Sequence, residues 1–289
     1  MIRLRAALAL VLFASACSES DGGRYPVRLS LALPGEAADL ESPVSEALQA
    51  ALRDSAIFAP DGADGSTVHG EATLTREAAE APWILHVGMA VPDDLRSKFA
   101  VSAITSSASA GTDAFRPSSE ALADAARRAI TGLEAQCRLA RGDASGLEVL
   151  LSSGEPSQIL VALRYVSDRE AREHASRLVP LLRSEDTRVR MAVLDVLGTV
   201  GTFDHAAAIV REVHRLDPGA TREAYRALAR LGGTDAVGFL RFAAANEDDP
   251  ELRAEAERAL SSALSGKPPS AAEVPRGVDL PKLARGHRQ

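Results

Sequence analysis

Residues 186–201 read DTRVRMAVLDVLGTVG: an arginine pair at the head of a short apolar helix that glycine stops twice, at Gly198 and Gly201. The stretch is one rung of a longer pattern. Leu147, Leu178, Ile209 and Leu240 fall 31 residues apart, and Leu151, Leu182, Val213 and Ala244 keep that spacing one turn later. A second series, Val161, Val193, Tyr225 and Ala256, runs at 32, 32 and 31. In a chain that is 46% hydrophobic, one four-member apolar column arises by chance in about 5% of registers, so three columns in phase mark a true period. A period of this length divides into two short helices per unit. With only 4% aromatic residues, the core must be built from Ala, Leu and Val, which suits closely packed helices.

These residues carry a resemblance to HEAT-like repeats. Asp186, Val189, Arg190, Ala192, Leu197 and Gly198 stand where the second helix of such a unit places them. DPGATREAYRALARLGG echoes the pattern with Asp217, Arg222 and Gly232, and DDPELRAEAERALSSAL with Asp249, Arg253 and Leu260. The first unit, around EPSQILVALRYVSD, departs most. Gln158 replaces the arginine and Arg164 interrupts an apolar column, as expected of a terminal repeat with one unpartnered face. The resemblance covers residues 143–264 and implies an all-α solenoid of about four helix pairs. It also implies a polar ladder between neighbouring units, carried by Asp186, Arg190, Asp217, Arg222, Asp249 and Arg253, with Asp186 facing Arg190.

Ahead of the repeats the periodicity changes. VRLSLAL (27–33) puts Val27, Leu29, Leu31 and Leu33 on one side of a strand, and Ser42-Pro43 opens a helix whose buried face is Val44, Leu48, Ala51 and Leu52. Strand-like runs follow at 66–75, 83–91 and 98–105, the clearest being WILHVGMAV. Short connectors predict an antiparallel meander. After a loop, a helix over 118–141 aligns Leu122, Ala126, Ile130, Leu133 and Cys137. The order β-α-β-β-β-α predicts a small α+β domain with helices on one face of an antiparallel sheet.

The first 16 residues combine two arginines, an apolar run from Ala6 to Ala14 and a small-residue ending, the pattern of an export leader too short to span a bilayer. Ala14-Ser15-Ala16-Cys17 resembles a bacterial lipobox, with alanine where leucine is usual at position 14. That resemblance implies cleavage before Cys17, lipidation there with palmitate among the acyl chains, and, with Ser18 following, the periplasmic face of the outer membrane. The alternative is an ordinary secretory leader that leaves Cys17 free. The expected organisation is leader 1–16, tether 17–25, α+β domain 26–142, repeat domain 143–264 and a basic, proline-rich tail 265–289.

The chain is acidic, and loss of Arg3 and Arg5 with the leader takes its formal charge from −7 to −9, a poor match for nucleic acid. It holds no P-loop, dinucleotide fingerprint, nucleophile elbow or zinc-protease helix. No catalytic residue, metal or cofactor is expected. His69 and His86 lie on neighbouring strands without a third ligand, His205 and His214 point different ways, and Cys137 reads as a core residue. The one binding feature is cationic: Arg222, Arg226 and Arg230 recur every four residues, with Arg211 and Arg215 in the same region. Against the solvated-face reading of that stripe, Arg211, Arg215, Arg226 and Arg230 are the candidate partner-binding residues. Function is expected to be non-enzymatic scaffolding of an envelope protein or peptide, with the lipid holding the protein at the membrane. A lyase-like enzyme or accessory subunit, and a lipid or lipoprotein carrier, are the rival classes.

Overall fold

The computed structural model describes residues 24–60, 67–78, 80–99, 101–111 and 116–265. The leader, Cys17 and the tail beyond Ser265 lie outside the described residues. The chain opens with strand β1 (Tyr25–Ala32), a 3-10 turn (Gly35–Leu40), helix α1 (Glu41–Asp54) and a short strand β2 (Phe58–Pro60). Strands β3 (Val68–Thr75), β4 (Ile84–Ala90) and β5 (Ala103–Ser109) complete a five-stranded sheet of order β2-β1-β3-β4-β5. The long helix α2 (Ser119–Ala140) follows, capped by the Ser118 side chain, which accepts from Ala121 N.

Three expectations for this half are corrected. The sheet is mixed: β1 pairs parallel with both β2 and β3, and only β3, β4 and β5 form an antiparallel meander. A helical crossover returns the chain to the edge it started from, so the strand after α1 must run parallel to β1. Ser42 does not cap α1, because the helix begins directly from the preceding 3-10 turn at Glu41, and the Ser42 hydroxyl donates to Glu46 instead. The last strand is Ala103–Ser109 and not 98–105, since Asp93–Lys98 forms a 3-10 turn whose Leu95 is buried.

The position of β5 follows from its packing. Its inward residues are small, Ser106 and Ala108 after Ile104, because α2 crosses the strand there at close range. At that crossing Gly132 permits the close approach: a Cβ would lie 2.4 Å from Ser106 Oγ and 2.7 Å from the Gln158 side chain. Both helices cover the same side of the sheet, where Leu74, Leu85, Val87, Met89, Leu122 and Leu133 are almost completely buried. The buried Glu134 carboxylate accepts from Ser55 Oγ and Ala56 N, pinning the α1–β2 connection to α2.

Four helix pairs follow: α3 (Ser145–Ser152) with α4 (Pro156–Asp168), a broken helix containing α5 (Ala175–Leu178) with α6 (Thr187–Val200), α7 (Phe203–Glu212) with α8 (Pro218–Leu231), and α9 (Gly233–Asn246) with α10 (Pro250–Ser265). The break in the second pair is a 3-10 turn over Val179–Arg183, where Pro180 lacks the donor that an α-helical turn requires. Leu147, Leu178, Ile209 and Leu240 are each 0% exposed, so the 31-residue column is the centre of the stack. Second helices pack on second helices, α4 on α6, α6 on α8 and α8 on α10.

The sheet half and the stack share α2. Its Leu122, Ile130 and Leu133 belong to the sheet core, while Ala135 and Leu139 belong to the core of the helical region. The first repeat therefore has a neighbour after all, and its atypical residues are explained by it. Gln158 is 2% exposed and donates to Ser106 Oγ (3.1 Å) and to the Arg128 carbonyl (3.1 Å). Ser157 donates to Ser107 O (3.3 Å), Gln136 to Thr105 O (2.8 Å), and Arg128 to Ser109 O, while Glu155 accepts from Ser109 N (3.3 Å) and Arg128 Nε (2.9 Å). The outer edge of β5 is thus satisfied by side chains from α2, α4 and the Glu155 that precedes α4.

Candidate interaction surface

Of the residues expected to form the polar ladder, only Arg190 and Asp217 pair with each other across neighbouring units. Asp186 caps α6, accepting from Arg188 N (2.7 Å) and Val189 N (3.3 Å), and its ion pair is with Arg188 at 2.7 Å. Those contacts, Arg188 first, hold its carboxyl below the usual range. Arg190 is one turn into the helix and reaches the next unit, donating to Asp217 Oδ2 (2.7 Å) as well as to the carbonyls of Ser184 and Glu185. Asp217 caps α8 through Ala220 N (3.0 Å), and that bond together with Arg190 lowers its pKa.

The next rung fails for a reason of spacing. Arg190 follows its cap by four residues, whereas Arg222 follows Asp217 by five, and the equivalent position is the buried Thr221. Arg222 instead pairs with Glu251 at 3.2 Å. Asp249 caps α10 by accepting from Glu251 N (2.8 Å), and Arg253 turns back to the Glu247 carbonyl (2.8 Å).

Arg226 and Arg230 are parts of an ion network across three second helices. Arg230 bridges Asp195 of α6 (2.7 Å) and Glu223 of its own helix (2.6 Å). Arg226 joins Glu223 (3.5 Å) to Glu255 of α10 (2.8 Å), and Arg258 closes the chain on Glu255 (2.6 Å). Glu223 and Glu255 are nearly buried. Burial raises the Glu223 pKa against the opposing pull of Arg230. Gly198 admits the Arg230 side chain, since a Cβ there would lie 2.7 Å from its Nε. The arginine stripe is therefore an internal fastening of the second-helix layer.

Arg211 and Arg215 differ. They lie at the end of α7 and in the 3-10 turn after it, both exposed, and neither makes an ion pair among the described residues. Glu212 between them is taken by Arg183 at 2.7 Å. Spacing alone could not separate these two arginines from Arg226 and Arg230, because their partners come from other units.

The histidines do not converge. In the sheet register His69 sits opposite Arg28 and His86 opposite Thr73, so they are four rows apart, roughly 13 Å at the strand rise. His86 lies between Ser107 Oγ (2.7 Å) and Thr75 Oγ1 (3.0 Å), and burial lowers its pKa. No carboxylate stands behind the ring. Around it, Glu71, Thr73, Gly88, Thr105 and Ser107 line an open cleft of about 330 Å³ on the uncovered face of the sheet. His205 closes a capping box with Thr202 at the start of α7. Cys137 is 0% exposed and its thiol is pushed up to about 12 by burial. Among the described residues no three His, Cys, Asp or Glu side chains are grouped to hold a metal, and no helix is long and apolar enough to cross a membrane.

With this geometry in place, residues 178–261 match the family model of HEAT repeats, from the end of α5 through α6, the α7–α8 pair and most of the α9–α10 pair. Neither the curated proteins nor the solved structures contain a match.

Proposed function

We propose that this protein is a cell-envelope lipoprotein, acylated at Cys17 on the periplasmic face of the outer membrane. There it scaffolds an envelope protein or peptide on its helical repeats without catalysing a reaction. The observation that carries the reading is the HEAT-repeat stack itself: helical repeats of this kind present an extended surface whose usual work is protein interaction. The fold supports it in two further ways. The sheet domain is fastened to the first pair through Gln158, Glu155 and Arg128, so the chain offers its partner a preorganised surface. The tether is also short. Arg24 is held on the carbonyls of Leu52, Arg53 and Phe58, leaving six residues between it and Cys17, a reach of about 25 Å when extended.

The test is crosslinking in intact cells with the full-length protein, followed by mass spectrometry of the adducts, beside fractionation of a Cys17→Ser variant. One dominant protein partner and loss of Cys17→Ser from the membrane fraction are the expected results. No partner at all would refute the scaffold, and an unchanged membrane fraction would refute the anchor.

A further inference from the structure

We infer that the docking surface lies on the first-helix layer, on the carboxyl-terminal halves of α7 and α9, and that it takes an acidic protein segment bearing an exposed apolar side chain. The inference rests on the scaffold reading and specifies its partner. Phe203 at the start of α7 lies against Gly233 at the start of α9, where a Cβ would stand 3.0 Å from the Phe203 Cβ. α7 and α9 pack on each other as the first helices of successive units, and Arg211 and Arg241 each fall eight residues on from that contact. Both are exposed, and Arg215 follows Arg211 by one turn. None of the three has an ion-pair partner among the described residues, unlike Arg226 and Arg230 in the second-helix layer.

Next to Arg241 stands Phe242, 63% exposed and one of three large hydrophobic side chains so exposed among the described residues. Two of the carboxylates at these helix ends are already held, Glu212 by Arg183 and Glu247 by the Tyr225 hydroxyl at 2.7 Å, while Asp248 beyond α9 is exposed. A cationic rim around an exposed aromatic ring, on a chain of net charge −7, is complementary to carboxylates flanking an apolar anchor. The same surface repels basic segments, including this protein's own tail, whose five basic residues outnumber two acidic ones.

The test uses the full mature chain carrying Cys17→Ser. Its probes are a short fluorescein-labelled peptide of Glu and Asp with one central Leu, the same peptide with Lys for every acid, and phosphatidylglycerol vesicles. Anisotropy should show binding of the acidic peptide, weakened about tenfold by Phe242→Ser and by Arg211→Glu with Arg241→Glu, and unchanged by Arg177→Glu on the same layer. Equal binding of the lysine peptide, no loss in either variant, or no binding to the intact surface would overturn the inference. Vesicle binding without peptide binding would assign the patch to an anionic membrane and overturn it as well. In-cell crosslinking separates the two readings. A partner retained by the Arg211/Arg241 variant leaves the scaffold standing and removes this surface, whereas no partner in either form removes the scaffold.

Discussion

Gly132→Ala tests how α2 is shared between the sheet and the stack. In an exposed helix this change stabilises by about 1 kcal/mol, because glycine has the greater freedom to lose. Here the new methyl would lie 2.4 Å from Ser106 Oγ and 2.7 Å from the Gln158 side chain. Both contacts are side-chain ends, so they can swing away, but only by giving up the bonds of the Gln158 amide to Ser106 Oγ and to the Arg128 carbonyl. Two buried hydrogen bonds are worth about 2 kcal/mol and overpacking adds about 1–3 kcal/mol. Set against the helix gain, the expected net loss is about 2–4 kcal/mol, or about 5–10 °C in a chain of this size. Differential scanning calorimetry should show the fall, with the variant separating into two transitions as the sheet domain and the stack lose their common helix. A rise in Tm would mean that helix propensity dominates and that α2 does not approach β5 and α4 as described.

The remaining expectations concern the ion pairs and the thiol. Asp217→Asn keeps the cap on α8 but loses the pair with Arg190. The Asp217 pKa is depressed in the folded state, so its contribution is present above the ordinary carboxylate range and vanishes as pH falls through the folded value; circular dichroism should find the variant weaker by no more than about 1 kcal/mol at pH 7, with the difference gone in strong acid. Arg230→Ala leaves Glu223, whose side chain is 10% exposed, with Arg226 alone and should cost about 1–3 kcal/mol by urea denaturation. Arg177→Ala breaks a pair exposed by 54% and 66% and should cost less than about 0.5 kcal/mol; equal costs would refute the distinction between the two layers. Cys137, its thiol raised to about 12, should resist alkylation at pH 8 until the protein is unfolded, and rapid labelling of the native chain would contradict its burial.

The repeat was legible because burial enforces a period: each member of the Leu147 column must reach the same layer, and nothing else can occupy it. The strand β5 was not, because its inward residues are chosen for closeness to α2, and Ser106 and Ala108 carry no hydrophobic signal. Gln158 looked like an end effect and is instead the fitting between two halves, a distinction that requires knowing what lies opposite. The ladder offers a similar lesson. Arg222 falls one residue late after its cap, a discrepancy visible in the spacing, yet its partner Glu251 is 29 residues away and no local pattern points to it. For the surface, Arg211 and Arg215 were visible as cations, but that neither makes an ion pair among the described residues, and that Arg241 and Phe242 are exposed on the neighbouring first helix, emerge only from the packed helices.

The covered edge of β5 also has a consequence in time. The bond between Ser106 and Gln158 joins residues 52 apart in sequence. A chain that emerges amino terminus first completes its sheet before the helix that shields it, and at 5–20 residues per second the interval is on the order of 3–10 s. Gln136 and Arg128 of α2 reach the Thr105 and Ser109 carbonyls first, but until residues 155–158 arrive the Ser107 carbonyl and the Ser109 amide remain a partly bare template onto which another strand could add. Misassembly during synthesis or export would therefore begin at this strand, and truncations ending before Pro156 should aggregate although every residue of the sheet is present.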